Sequence, residues 1–302
     1  MRRFLPFLLV LAGCSRATVD AEVRADGSMH RTLTFGGSGP SMSDPDSGSK
    51  DTPAWEETFE LPKGAGWTAK RQNDPFFNDP VYVASRDVPA GAAFEGDLTI
   101  RSEGGAKIAT NSGKITARGD GTFEYVETLR WLGKRQQKEW NDPALRLRIK
   151  AALPAGTDTA GIDAVVKACG TAMVRALFGP GDPLLDLMLT HRELAARRLT
   201  AAIRKAVRPL VADDATAAAV ASACLKSDRK DPSGPPINPP GGGSKEDSTK
   251  GGPASILYSL RFPGEVLETN GLKEEDGTIY WRFYSEAAAI EDVTLRAVYR
   301  PK

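Results

Sequence analysis

The end of the chain alternates like β-strands but holds too few of them to stand alone. Ile256, Tyr258, Leu260 and Phe262 share one face, as do Ile279, Trp281 and Phe283, and then Val293, Leu295, Ala297 and Tyr299. About three strands with a single apolar face are marginal in water. Strands of the same kind open the chain, and a long helical stretch lies between the two sets. The economical fold is therefore α+β: an antiparallel β-rich domain, sandwich-like or a curved sheet, that the final strands complete around an inserted α-helical subdomain. Insertions of this kind are accepted at exposed loop tips.

The opening strands are read directly. Val19, Ala21 and Val23 alternate with Asp20, Glu22 and Arg24. Asp26-Gly27 then supplies a tight turn. Met29, Arg31, Leu33 and Phe35 follow on one face, with His30, Thr32 and Thr34 on the other. Residues 36–53 are rich in Gly, Ser, Asp and Pro and read as a loop. Short strands are expected at Trp55–Leu61 and Gly66–Arg71. The doubled Asn-Asp-Pro of 73–80 reads as turns, with Phe76 and Phe77 either a core plug beneath them or an exposed apolar tip. Val81–Ser85, Phe94–Arg101, Lys107–Thr110, Lys114–Arg118 and Thr122–Trp131 complete this part. In the last, Phe123, Tyr125 and Glu127 lie in phase.

From 132 to 226 apolar residues recur at helical spacing. Asn141-Asp142-Pro143 starts a helix with Leu145 and Ile149 on one face. Ile162, Val165, Val166, Cys169, Met173 and Leu177 make a second stripe, ended by Gly179-Pro180. Asp182-Pro183 is read as opening the longest helix, with Leu184, Leu187, Met188, His191, Leu194 and Ala195 on one side. A last helix spans Asp214–Leu225. Residues 227–253 are a Pro, Gly, Ser and Lys run, a disordered linker by composition. The expected organisation is thus a signal segment at 1–13, a β-rich part at 14–131, the helical insertion at 132–226, the linker at 227–253 and the completing strands at 254–302.

Met1-Arg2-Arg3, the apolar run to Leu11 and the small pair Ala12-Gly13 before Cys14 have the layout of an export signal. The run is far shorter than the roughly 20 apolar residues that cross a bilayer. Leu11-Ala12-Gly13-Cys14 resembles the bacterial lipobox. The resemblance implies cleavage before Cys14, a thioether-linked diacylglycerol on its sulfur and a fatty acyl group such as palmitate on its nitrogen. Multiple acyl chains anchor stably where one does not. Ser15 rather than Asp then implies, in a Gram-negative cell, sorting to the outer membrane; the expected face is the periplasm rather than the surface. Phe262-Pro263-Gly264-Glu265-Val266, Thr269-Asn270-Gly271 and Tyr280-Trp281, with the early hairpin, resemble LppM-type bacterial lipoprotein domains. That resemblance implies an α+β or sandwich-like envelope domain with lipid or glycolipid handling; the helical insertion departs from its pattern.

An exported chain can hold disulfides, and Cys169 and Cys224 are the only candidates beside Cys14. Bonded, they close a loop worth about 4 kcal/mol in the chain-entropy account; the alternative is two buried thiols. Formal net charge is +1, so nothing in the whole-chain charge invites nucleic acid. Lys134 to Lys230 nevertheless carries 17 Lys and Arg against 10 Asp and Glu. That basic insertion can contact anionic lipid or an envelope protein, or be an ordinary solvated face.

No catalytic or metal-binding pattern emerges, and no cofactor is expected. His30 falls on a polar strand face and His191 in a helical apolar stripe, neither at a ligand spacing. Asp44, Asp46 and Asp51 lack the spacing of a calcium loop. Gly241-Gly242-Gly243-Ser244-Lys245 lacks that of a phosphate loop. Glu56-Glu57 and Glu274-Glu275 are adjacent near strand ends and so face opposite ways. The expected role is a lipid-anchored envelope protein, a non-enzymatic module binding an amphiphile or an envelope protein. The alternatives are an assembly protein docking through its helices, and an enzyme whose site only a structure reveals.

Overall fold

The computed structural model describes residues 14–38, 54–75, 78–102, 104–133, 143–180, 183–184, 187–188, 191–226 and 254–302. It forms two compact units, Met1–Gly133 with Lys250–Lys302, and Lys134–Thr249. In chain order the elements are β1 (Cys14–Val23), β2 (Met29–Ser38), α1 (Ala54–Thr58), β3 (Phe59–Glu60), β4 (Thr68–Asn73), β5 (Pro80–Val88), β6 (Ala93–Arg101), β7 (Lys107–Ala117) and β8 (Phe123–Trp131). The helices α2 (Pro143–Ala152), α3 (Thr159–Phe178), α4 (Arg192–Val207) and α5 (Asp214–Leu225) follow. Then come β9 (Ser255–Arg261), β10 (Gly264–Thr269), β11 (Leu272–Lys273), β12 (Ile279–Tyr284), α6 (Ser285–Ile290) and β13 (Val293–Pro301).

The first unit is α+β and β-dominated, two sheets packed face to face. One runs β11-β12-β9-β1-β2-β5-β4 and the other β10-β13-β8-β7-β6-β3. The final strands serve both sheets. β9 pairs with β1 in parallel, Val19 opposite Tyr258, whereas β13 pairs antiparallel with β8. The alternation read at the end of the chain is seen in the burial of Ile256, Tyr258, Leu260, Trp281, Phe283, Leu295 and Tyr299, while Phe262, just past β9, is only half-buried. Asn270 joins the sheets where the chain passes between them. Its Oδ1 accepts from Trp281 Nε1 on β12 and from the Arg296 amide on β13, at 2.8 and 2.9 Å. Gly271 is there for space rather than for a left-handed turn, since a Cβ would meet Trp281 Cε2 at 2.6 Å.

Three hairpins use one device. In Asp26-Gly27-Ser28, Asp120-Gly121-Thr122 and Asp276-Gly277-Thr278 the glycine takes φ between +76° and +83°. The aspartate accepts from the amide two residues on, at 2.8, 3.0 and 2.9 Å. Only the glycine has a positive φ, so the Asp-Gly pair is not the doubly left-handed turn its composition suggested.

Several expectations are corrected. Trp55–Leu61 is mainly the helical turn α1, because Glu56 and Glu57 favour a helix N-terminus and the four-residue spacing buries Trp55 and Phe59 together. The two strands expected at 107–110 and 114–118 are one strand, β7, running through Asn111-Ser112-Gly113. β1 starts at Cys14, four residues before the alternation is legible. Phe76 and Phe77 lie outside the described residues.

In the second unit α3 buries the expected stripe, Ile162 through Leu177. Asp158 caps it, accepting from the Gly161 amide at 2.7 Å. The longest helix is α3, 20 residues, rather than one opening at Asp182. Before α4 the described Leu184, Leu187 and Met188 are helical, Leu184 buried as expected, and α4 itself buries Ala195, Leu199, Ile203 and Val207. His191 precedes α4 exposed rather than in the core.

Hydrogen bonds from Ser28, Thr122 and Thr278 hold the Asp26, Asp120 and Asp276 carboxyls below their ordinary value of 3.8. A lowered folded value means stability that is present above the unfolded pKa and lost as pH falls through the folded one. The variant with all three changed to Asn is therefore expected to lose less stability than the parent on acidification below about pH 4. Urea unfolding across that range checks it; identical pH profiles would contradict it.

Candidate functional site: a sealed ionic core

Polar groups concentrate between the two sheets. Arg31 on β2 is in phase with Met29, Leu33 and Phe35, so the strand's own alternation carries it inward, where it is fully buried. Glu127 on β8 is in phase with Tyr125 and equally buried. The two meet in a bidentate pair, Nη1 to Oε2 at 2.7 Å and Nη2 to Oε1 at 3.1 Å.

Glu127 is satisfied from four strands. Asn111 Nδ2 on β7 donates to Oε1 at 2.6 Å and the Tyr258 hydroxyl on β9 at 2.7 Å. The Tyr125 hydroxyl donates to Oε2. Burial works against the charge on Glu127, yet Arg31 and these donors hold its pKa below the glutamate range. Burial likewise opposes the charge on Arg31, and Glu127 raises its pKa despite that. Burial and the neighbouring carboxylate push the phenols of Tyr125 and Tyr258 well up.

A second carboxylate resolves a conflict in the first sheet. Arg31 lies directly opposite Arg86 of β5, and like charges so placed repel. A bulge in β6 answers this. Gly96 takes φ +75°, the register shifts between Glu95 and Thr99, and Asp97 and Leu98 both turn inward. Asp97 Oδ2 then lies 3.3 Å from Arg31 Nε and Oδ1 lies 2.5 Å from Arg86 Nη2. Burial raises the Asp97 pKa against the pull of both arginines. Asn111 Oδ1 takes the freed Leu98 amide at 2.7 Å. Arg31 also stacks on Phe94, 4.3 Å from the ring centre, and Arg86 on Trp67 at 4.8 Å. Phe94 fits because Gly113 has no side chain; a Cβ there would meet the ring at 2.4 Å.

None of these residues was singled out from sequence as a site. The usable signal was phase: Arg31 and Glu127 fall on the apolar faces of their strands. The sequence candidates lie elsewhere and are not brought together. Cys14 begins β1, its backbone opposite Ser38. His30 Nδ1 is 3.3 Å from exposed Asp87. Glu56 pairs with Arg71. Asp44, Asp46, Asp51 and residues 241–245 lie outside the described residues, among which no group of His, Cys, Asp and Glu is arranged for a metal and no helix is long and apolar enough to cross a membrane.

Cys169 on α3 and Cys224 on α5 are both buried and free, and their thiols are in contact. The neighbouring thiol and burial push Cys169 far above the ordinary thiol range. In an oxidising compartment the pair is expected to bond; non-reducing mass spectrometry of exported protein should show the joined peptides, and two alkylatable thiols would contradict it.

No family model matches the chain, and no curated protein matches it. Among solved structures, the NMR structure of the folded domain of Mycobacterium tuberculosis LppM is similar at 10% identity and a TM-score of 0.34, over 100% of this chain and 96% of that one. So low a score carries no argument about fold or function.

Removing one partner of a buried ion pair strands the other and costs about 3–5 kcal/mol, while joint apolar replacement is often near neutral. Glu127→Gln is expected to destabilise by about that amount. Arg31→Met with Glu127→Leu should cost clearly less than the sum of the single changes. Additive effects in urea unfolding would contradict the network.

Proposed function

We propose that this chain is a lipid-anchored protein of the bacterial cell envelope, a non-enzymatic module that binds its partner on its outer surface. The observation that carries the anchor is the start of β1. The strand begins at Cys14 and is paired along its length with β2. Ser15 is already buried, its hydroxyl 2.8 Å from Thr58 Oγ1. A lipid on Cys14 therefore passes straight into a central strand, with no free tether between.

The sealed core supports binding rather than catalysis. Arg31, Asn111, Tyr125 and Glu127 are at most 1% exposed, so a substrate reaches them only if the sheets part. Trp281 packs on Tyr125 and Phe283 on Tyr258, ring centres 6.1 and 6.0 Å apart. An amphiphile or an envelope protein is then met on the outside. The assembly reading keeps one observation of its own: Leu147 on α2 is 67% exposed and Leu210, after α4, 48%, apolar side chains suited to a protein contact.

Cys14→Ser should move the protein from the membrane to the soluble fraction and abolish labelling by an alkyne fatty acid. Continued membrane attachment of the variant, without label in the parent, would defeat the anchor.

A further inference from the structure

The accessible basic surface of the helical unit is not evenly spread. On α4, Arg197, Ala201, Arg204 and Lys205 fall at helical spacing along one stripe that Arg208, just past its end, continues, opposite the buried Ala195, Leu199, Ile203 and Val207. After Arg208-Pro209-Leu210 the chain turns and α5 begins at Asp214. Between them is an open groove of about 570 Å³ lined by Arg197, Thr200, Ala201, Arg204, Lys205 and Arg208. Thr200 and Ala201 are small and leave its floor low. Thr200 turns its hydroxyl back to the Ala196 carbonyl at 2.7 Å.

Two of the four cations are held in place. Asp214 accepts from Arg204 Nε at 3.0 Å and from its Nη2. Arg208 Nη1 donates to the Val211 carbonyl at 3.1 Å. A guanidinium has five N–H donors, so each arginine keeps donors for a ligand while its position is fixed. Among the described residues no carboxylate pairs with Arg197 or Lys205. Among the described residues Asp214 lines the groove and Asp213 lies close enough to be stabilised by Arg208, which leaves an excess of two positive charges.

We propose that this groove binds a phosphate group carried on a small organic body, the chemistry of a phospholipid headgroup or a soluble phosphate ester. Forked arginines match tetrahedral oxyanions that accept several hydrogen bonds at once. The volume is in the range of small-molecule sites, too large for the ion alone. The site lies wholly in the helical unit and is independent of whether Cys14 carries lipid.

The test is titration calorimetry on the full chain in neutral detergent and phosphate-free buffer. The probes are inorganic phosphate, glycerol 3-phosphate, and mixed micelles of phosphatidylglycerol or of phosphatidylcholine. Binding of phosphatidylglycerol micelles but not phosphatidylcholine assigns the lipid source; binding of glycerol 3-phosphate at equal affinity assigns the soluble one. In either case Arg197→Gln with Lys205→Gln, exposed positions that leave the fold intact by circular dichroism, should weaken binding about tenfold or more. Added salt should weaken it further. Absence of binding by every anionic probe, or unchanged affinity in the folded double variant, overturns the proposal. Neither result bears on membrane attachment through Cys14.

Discussion

The pairing of Arg31 with Glu127 is the interaction around which the β-unit is arranged. A charge pair closed off from water is costly unless its remaining donors and acceptors find partners; those of Glu127 are met by hydrogen bonds, and Arg31 Nε is met only by the charge of Asp97. That demand explains features that otherwise look like irregularities. Asn111 sits mid-strand because Glu127 and the bulged Leu98 amide both need it. Gly96 and Gly113 shape the second sheet so that Asp97 and Phe94 reach the two arginines. An apolar core could be as stable. What the network adds is register: its groups come from β2, β6, β7, β8 and β9, and a one-residue slip of any strand would turn its member outward.

The same network ties the ends of the chain together. Tyr258 reaches Glu127 from β9, which follows the helical unit in sequence, while Arg31 comes from the opening hairpin. β1 without β9 would be an edge strand with its pairing groups unmet. The two are parallel, so no tight turn can join them and a long crossover is obligatory. Here the crossover contains most of the chain, including the whole helical unit. Contacts so distant in sequence make for slow folding.

Much of this was legible in the residues. Alternation placed the core faces of β1, β2, β8, β9, β12 and β13, and helical spacing placed the stripe of α3 and the start and end of α5. The need of the last strands for a sheet follows from their number alone. What was not legible has physical causes. Arg31 and Glu127 read as polar residues that happen to be in phase, because a charge is assigned to solvent until its partner is known, and the partner is on another sheet. Asn111-Ser112-Gly113 reads as a break because the need for a small residue at 113 is set by Phe94, distant in sequence. Asn270-Gly271 reads as a turn pair, while its glycine answers to Trp281. On the helices, the excess of basic residues was countable, but only the turn after Arg208 gathers four of them around one groove.

Glu127 stays ionised in the interior because Arg31 and its hydroxyl and amide donors hold it so. The most direct measurement is a carbon-detected NMR titration of the Glu127 side-chain carboxyl in the folded protein. Its resonance is expected to remain that of a carboxylate as pH falls through the ordinary glutamate value of 4.5. A carboxyl that takes up its proton at or above that value would contradict it.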